Sequence, residues 1–207
     1  MGLPGSGKGT QGKILAEKLI LPHVSTGDIF RKMTKTDTEE SKLLSEYMIS
    51  GKLVPSELVN KIVRKVLLSG EYKDGCILDG YPRNLKQAEY FIENIDTEIS
   101  SVFFEVADET VVKRIMGRYS CQSCGAIYNN YFDTLKVTGV CDHCGSTELT
   151  SRSDDDEKTV LERIKEYKKE TLPLVEYYKR KGRFFTVNAG GTKEEVIKEI
   201  SLIAKRI

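Results

Sequence analysis

Apolar residues fall along this chain in two alternating patterns. Four short runs, Pro22-His-Val-Ser-Thr26, Gly75-Cys-Ile-Leu-Asp79, Val102-Phe-Phe-Glu-Val106 and Phe184-Phe-Thr-Val187, are bounded by polar or turn residues and predict buried strands. Between them apolar positions recur three or four apart. Ile14, Leu15, Lys18 and Leu19 predict a short helix with one side against a sheet. Ile29, Phe30 and Met33, then Leu43, Leu44, Tyr47 and Met48, form two narrow stripes in a polar stretch from Gly27 to Leu53, with Gly51 as a C-cap. Stripes so narrow predict a satellite outside the main core. Pro55 and Ser56 open a stronger amphipathic helix carrying Leu58, Val59, Ile62, Val63, Val66 and Leu67, stopped near Gly70. Further helices are predicted from Asn84 to Asn94, from an Asp108 cap to about Arg118, and from Asp154 to Lys181 with a bend at Pro173. A closing helix starts at Thr192 or Lys193.

Strands alternating with helices imply right-handed crossovers and a parallel sheet covered on both faces, an α/β fold. Ligands in such sheets sit at the carboxyl ends of the strands. Ser25-Thr26, Asp79-Gly80 and Ala107-Asp108 all lie at those ends. So does Gly2-Leu-Pro-Gly-Ser-Gly-Lys-Gly-Thr10, whose G-x-x-x-x-G-K spacing marks a phosphate-binding loop. Its glycines let backbone N–H groups turn inward as a nest for anionic oxygens. A helix starting near Lys8 adds the positive end of its dipole, and the Lys8 ammonium reaches terminal phosphates. Gly9 stands where the general motif has Ser or Thr, so the hydroxyl comes one position later, on Thr10.

Charge narrows the partners. Lys+Arg 32 against Asp+Glu 31 leaves +1, with no global field for nucleic acid or an anionic membrane. No apolar run approaches the roughly 18 residues of a membrane span, and no signal peptide precedes the loop, so a cytoplasmic chain is expected. Within that balance five arginines stand beside segment junctions: Arg31 in the first satellite helix, Arg114 and Arg118 sharing a helix face before the cysteine segment, and Arg152 and Arg163 flanking the start of the long helix. Together they read as clamps for a highly charged substrate. Arg83 and Gln87, four apart on one helix face, add a bidentate fork for phosphate and an amide for a base edge. Asp79, an acid at a strand end facing the loop, suits the water shell of Mg²⁺.

Four of the five cysteines are paired by spacing: Cys121 with Cys124, Cys141 with Cys144, and 16 residues between the pairs. Two C-x₂-C knuckles at ribbon spacing suit tetrahedral Zn²⁺, and four thiolates leave no position for water or substrate, so this zinc is expected to be structural. An insertion of roughly 40 residues buries little core and would take its folding energy from the metal. His143, inside the second knuckle, is read as a spectator, Cys76 as a buried core thiol and His23 as a structural residue.

In this order and spacing the loop G-x-P-G-x-G-K-G-T, Ser25-Thr-Gly-Asp-Ile-Phe-Arg31, Gly51-Lys-Leu-Val54, Leu78-Asp-Gly-Tyr-Pro-Arg83 and Arg152-Ser-Asp-Asp155 resemble adenylate kinase over essentially the whole chain. Gly9-Thr10 is that family's own variant of the loop, and the four cysteines match the zinc-containing long lid of part of its bacterial branch. The resemblance implies a P-loop NTPase-type parallel sheet with helices on both faces, formed by residues 1–24, 55–117 and 156–207. It also implies a helical nucleotide-monophosphate lid over 25–54 and a zinc-ribbon lid over 118–155.

It further implies that Gly5, Ser6, Gly7, Lys8, Gly9 and Thr10 hold the phosphates of ATP, that Arg118, Ile127 and Tyr128 close over it, and that Gly191 approaches the adenine by backbone. AMP would lie against Thr26, Arg31, Lys52, Leu53, Val54, Gly80, Tyr81, Pro82, Arg83, Gln87, Arg152 and Arg163. Arg114 would join Arg118 on the migrating phosphoryl group, Asp79 would orient the water of Mg²⁺, and Asp154 and Asp155 would tie lid to core. The implied reaction is ATP + AMP ⇌ 2 ADP in a monomer. A kinase for UMP or CMP is the near alternative, which Thr26 and Gln87 disfavour. A zinc-ribbon module binding nucleic acid is the remote one; Tyr119, Tyr128, Tyr131 and Phe132 surround the cysteines, but only Lys136 is basic between the knuckles.

One element is missing from this scheme. A strand normally launches such a loop, and here only Met1 precedes Gly2. Its neighbours are then expected about 9–10 Å apart, twice the usual strand spacing. The expectation is that a fully competent enzyme carries more apolar residues before Met1, unless the two flanking strands pair directly.

Overall fold

The computed structural model describes residues 1–95, 98–152 and 154–207. Gly7, at φ 88, turns the chain into α1 (Lys8–Leu19), and an extended passage gives β1 (His23–Ser25). The Ser25 hydroxyl accepts from Asp28 N to start α2 (Thr26–Met33). A reciprocal Thr38–Ser41 capping box starts α3 (Glu39–Ser50), which Gly51 ends at φ 73 as expected. Then follow α4 (Ser56–Leu67), β2 (Ile77–Asp79), α5 (Leu85–Asn94) and β3 (Ser101–Glu105).

Helix α6 (Asp108–Met116) differs from expectation at both ends. Its N-cap is Ala107, without a side-chain bond, because the Asp108 carboxylate turns to Lys168 at 2.5 Å. It stops before Gly117, so Arg118 opens the strand β4 (Arg118–Cys121) and shares no helix face with Arg114. Antiparallel β5 (Ile127–Asn129) and β6 (Leu149–Thr150) flank β4. The long helix starts three residues later than expected, at α7 (Glu157–Glu166), where Asp156 accepts from Thr159 N. It widens into a π-helical turn at Tyr167–Thr171 before α8 (Pro173–Lys181), which places Pro173 at a first-turn position where its missing N–H costs nothing. β7 (Phe184–Asn188) and α9 (Lys193–Ala204) close the chain.

The parallel strands form two pairs, β1 with β2 and β3 with β7. Among the described residues no ladder joins β2 to β3; the only backbone between them is Met1–Gly2, bridged to Phe104. Side chains alternate across the strands. Phe104, Phe185 and Val187 join Leu15, Val196 and Ile200 beneath α1 and α9, while Phe184 joins Ala88, Leu174 and Tyr178 beneath α5 and α8.

The two narrow stripes pack against neighbouring helices. Phe30 and Leu44 are buried in one cluster with Val59, Ile62, Val63 and Phe91, because α4 offers its apolar face to α2 and α3 as well as to α5. The cap of α5 gives a stability prediction. The Asn84 side chain accepts from Gln87 N at 3.0 Å and donates to Ser56 Oγ at 3.0 Å. Asn84→Ala is expected to cost about 1–2 kcal/mol, read as a fall of about 2–8 °C in Tm.

Candidate active site

The loop wraps a single turn: Ser6 N donates to Leu3 O at 3.0 Å, and Gly5 and Gly7 take φ 78 and 88. Only glycine fits at position 5, where a Cβ would lie 2.6 Å from Ile115. Ser6 is buried, and Thr10 faces solvent on α1. Lys8 is half-buried, its Nζ donating to Leu3 O at 3.4 Å. Burial lowers its pKa to about 8, opposed by Asp79 and reinforced by Arg83, Arg118 and Arg163.

The strand ends bring the other groups to this lysine. A cavity of about 490 Å³ is lined by Gly5, Lys8, Arg31, Asp79 through Arg83, Arg118, Arg152, Asp154 and Arg163. A smaller hollow of about 80 Å³ adjoins it, lined by Arg31, Lys52, Leu53, Val54, Gly80, Arg83, Gln87 and Arg163. Its apolar wall of Phe30, Tyr47, Met48 and Val59 has no chemical signature; only the stripes of α2 and α3 pointed to it.

The arginines are held by named partners. Arg118 makes a two-pronged contact with Asp155, at 2.8 and 2.5 Å, within the segment 118–155, and Arg163 pairs with Asp154 across from α7. Arg31 meets Asp28 at 2.6 Å. Burial pushes the Asp154 carboxyl up, but Arg163 outweighs it and the net shift is downward. Arg152 is lowered to about 10 by burial and by Arg118 and Arg31.

Arg83 and Gln87 do not share a helix face. Arg83 precedes α5, its Nε bonded to Gly80 O at 2.8 Å and its carbonyl to the Thr171 hydroxyl at 2.7 Å. Gln87 is 1% exposed and its Oε1 accepts from Arg83 N at 2.8 Å. The amide therefore shapes the turn as well as lining the hollow. Thr26 is buried too, its hydroxyl donating to Gly80 O at 3.0 Å. Tyr81 turns inward, donating to Asn60 Oδ1 at 2.8 Å, and the Tyr81–Pro82 peptide is cis.

Several expected groups lie away from the cavity. Arg114 stacks its guanidinium 5.6 Å over the Phe132 ring, while its carbonyl accepts from Asn129 Nδ2 at 2.6 Å. The Tyr128 side chain is buried against the cysteines, its hydroxyl 3.2 Å from Cys141 Sγ and accepting from Asp142 N at 2.9 Å. Only its backbone remains for a nucleotide. Ile127 sits beside it in β5, and Gly191 lies in the turn between β7 and α9. Cys76 lines the cavity rather than the core. His23 packs 3.9 Å from Asp79, with Nε2 buried and its pKa lowered by burial.

The four sulfurs of Cys121, Cys124, Cys141 and Cys144 lie within 4.8 Å of one another, with Cys121–Cys144 and Cys124–Cys141 at 3.6 Å. A tetrahedron of 2.3 Å metal–sulfur bonds needs edges of about 3.8 Å, so the cluster could hold one ion. Two of the sulfurs are buried and two exposed. Among the described residues no helix is long and apolar enough to cross a membrane.

Comparison with known proteins agrees with this geometry. The sequence profile named Adenylate kinase matches residues 1–183. The adenylate kinases of Rickettsia africae and Rickettsia conorii are each 50% identical over 205 residues, spanning 99% of this chain and 97% of theirs. That of Rickettsia prowazekii is 48% identical over 206 residues, with the same coverage. A phosphate loop, a strand-end acid and an arginine ring on one cavity, in a sequence half identical to these relatives along its length, place the chain in the adenylate kinase family.

Proposed function

We propose that this adenylate kinase moves the terminal phosphoryl group of ATP onto AMP in the 490 Å³ cavity, with AMP seated toward the hollow walled by Lys52, Leu53 and Val54. The observation that carries the assignment is the gathering of Lys8 with Arg31, Arg83, Arg118, Arg152 and Arg163 around Asp79. AMP's phosphate is already anionic, so no strong base is needed. The work is positioning and cancellation of spreading negative charge, which Lys8 and the arginines supply. Gly5 through Thr10 cradle the ATP phosphates. Arg118 reaches the transferring group, with Arg114 its distant second, and Ile127, Tyr128 and Gly191 meet the ATP base side by backbone. Thr26, Gly80 through Arg83 and Gln87 face AMP.

Mg²⁺ fits beside Asp79. A Cβ on Gly9 would lie 3.1 Å from Asp79 Oδ2, so glycine keeps that space open, and a single carboxylate suits an ion held mainly by phosphates and water. Bound there, the ion neutralises phosphate charge. We place a structural Zn²⁺ on the four cysteines, whose sulfur-only donor set leaves no position for chemistry. Residues 1–24, 55–117 and 156–207 then form the core, 25–54 the AMP-side lid and 118–155 the zinc lid, which close to exclude water. We read the chain as a monomer acting on free nucleotides, as the family resemblance implies. The single lysine between the knuckles argues against a nucleic-acid partner, and four thiols in a metal cluster suit the reducing cytoplasm.

ADP formation from ATP and AMP, with and without Mg²⁺, tests the reading. AMP is expected to exceed UMP and CMP as acceptor, and equal rates would move the assignment to a broader monophosphate kinase. Lys8 adds a pH signature. Because it loses its proton near pH 8 in the free protein, kcat/KM for ATP is expected to fall as pH rises through about 8. The kcat profile stays flatter, because bound phosphates hold the proton. Stability moves the other way. The folded protein releases this proton near 8 and the unfolded chain near 10.5, so the Lys8 contribution rises between those values.

A further inference from the structure

The helix that follows the cysteine segment is regular over α7 and again over α8, but it widens between them. Leu172 N donates to Tyr167 O at 2.9 Å, five residues back instead of four. Arg163, on α7, and Thr171, in the wide turn, are eight positions apart. Eight residues of regular α-helix would leave their side chains about 80° apart around the axis. The wide turn takes up one extra residue and reduces that to about 20°. Both residues accordingly line the 490 Å³ cavity.

Thr171 is 6% exposed, and its hydroxyl donates to Arg83 O at 2.7 Å across 88 positions of sequence. Two more bonds hold the same arginine. Gln87 Oε1 accepts from Arg83 N at 2.8 Å, and Gly80 O accepts from Arg83 Nε at 2.8 Å. With Nε taken, the Nη groups are left to meet a phosphate. The bonds to Gly80 and Gln87 are local, spanning three and four positions, so they set the shape of the turn. They do not set its place relative to Arg163. Thr171 does, because it belongs to the helix that carries Arg163.

We propose that Thr171 is a positioning residue for phosphoryl transfer to AMP. It locks the loop bearing Arg83 to the helix bearing Arg163, and so fixes the spacing of two guanidinium groups that meet the acceptor phosphate. The proposal rests on the function proposed above. Thr171 acts through Arg83, not on the nucleotide itself. Its hydroxyl is the part that matters, because a buried carbonyl deprived of its donor turns toward another one. A shift of about 1 Å in a positioned group can cost on the order of 100-fold in rate. That gives a threonine behind the site its leverage.

The test is steady-state kinetics with ATP and AMP varied separately. Thr171→Val keeps the side-chain shape and removes the hydroxyl. We expect kcat/KM for AMP to fall about 10–100-fold, while KM for ATP stays within about twofold. Thr171→Ser, which keeps the hydroxyl, restores most of the loss. Beside Arg83→Lys, the further change Thr171→Val is expected to cost less than about twofold, because the group it places is already gone. Should the valine variant not fold, Thr171→Ala, which leaves room for a water under the carbonyl, carries the same comparison. An unchanged kcat/KM for AMP in the variant without the hydroxyl overturns the proposal. So does an equal loss for ATP and AMP, or a loss undiminished beside Arg83→Lys, since either makes Thr171 a structural residue only. An unsubstituted chain that forms no ADP from AMP overturns the proposed function, and this proposal with it.

Discussion

Lys8→Ala is expected to lower kcat by about two to four orders of magnitude and leave the fold intact. The half-buried side chain lines the cavity with Arg83, Arg118 and Arg163, so water screens its positive charge less than in bulk. Charge that moves from ATP toward AMP is met there by a donor already in place. For folding, the same burial works against the lysine: its pKa is pushed down, and its one hydrogen bond, to Leu3 O, is long at 3.4 Å. Alanine relieves cationic crowding, so Tm is expected to stay level or rise slightly. Steady-state kinetics beside a thermal melt separate the two effects. Near-normal turnover would remove Lys8 from the transition state, and a lower Tm would show the loop to depend on it for structure.

Stripping metal from the cysteine cluster is expected to act in the opposite sense, on stability more than on turnover. The segment from β4 to β6 has a small core, Cys121, Tyr128 and Cys141 with Tyr119, Ala126, Leu135 and Leu149 around them, and two of those three buried residues are cluster sulfurs. A bound ion supplies several kcal/mol to so small a unit, and its loss is expected to lower Tm by about 10 °C or more. Turnover per folded molecule, measured well below the midpoint, changes less, because the sulfurs lie away from the cavity. Elemental analysis should find about one zinc per chain. Active, stable protein with no zinc would refute the structural role, and so would a chelator that abolishes turnover without moving Tm.

What the sequence revealed depended on how local the signal was. The loop, the Gly51 cap and the two cysteine knuckles are fixed by neighbours within a few residues, and each was legible as spacing. Arg118 was misplaced because helical periodicity ran past Gly117, and nothing local says whether a strand follows. Gln87 was read as an amide for a base edge, and sequence cannot show that its Oε1 also closes onto the Arg83 backbone. The hydroxyl of Tyr128 is claimed by Cys141 and Asp142, across 13 and 14 residues, a packing that no local pattern announces. Tertiary geometry decided all three.

The pairing of the arginines with aspartates changes how the site meets its substrates. Six cations, Lys8, Arg31, Arg83, Arg118, Arg152 and Arg163, stand among four carboxylates, Asp28, Asp79, Asp154 and Asp155. Seen from a Debye length away, such a cluster shows about two of its six positive charges, in a chain whose whole balance is +1. Nucleotides are therefore drawn in by contact rather than by a far-reaching field, and capture amounts to an exchange in which phosphate oxygens take over positions that carboxylates hold. Association should then depend on ionic strength far less than six cations suggest, so the protein can work across wide swings in salt without losing its grip on either nucleotide.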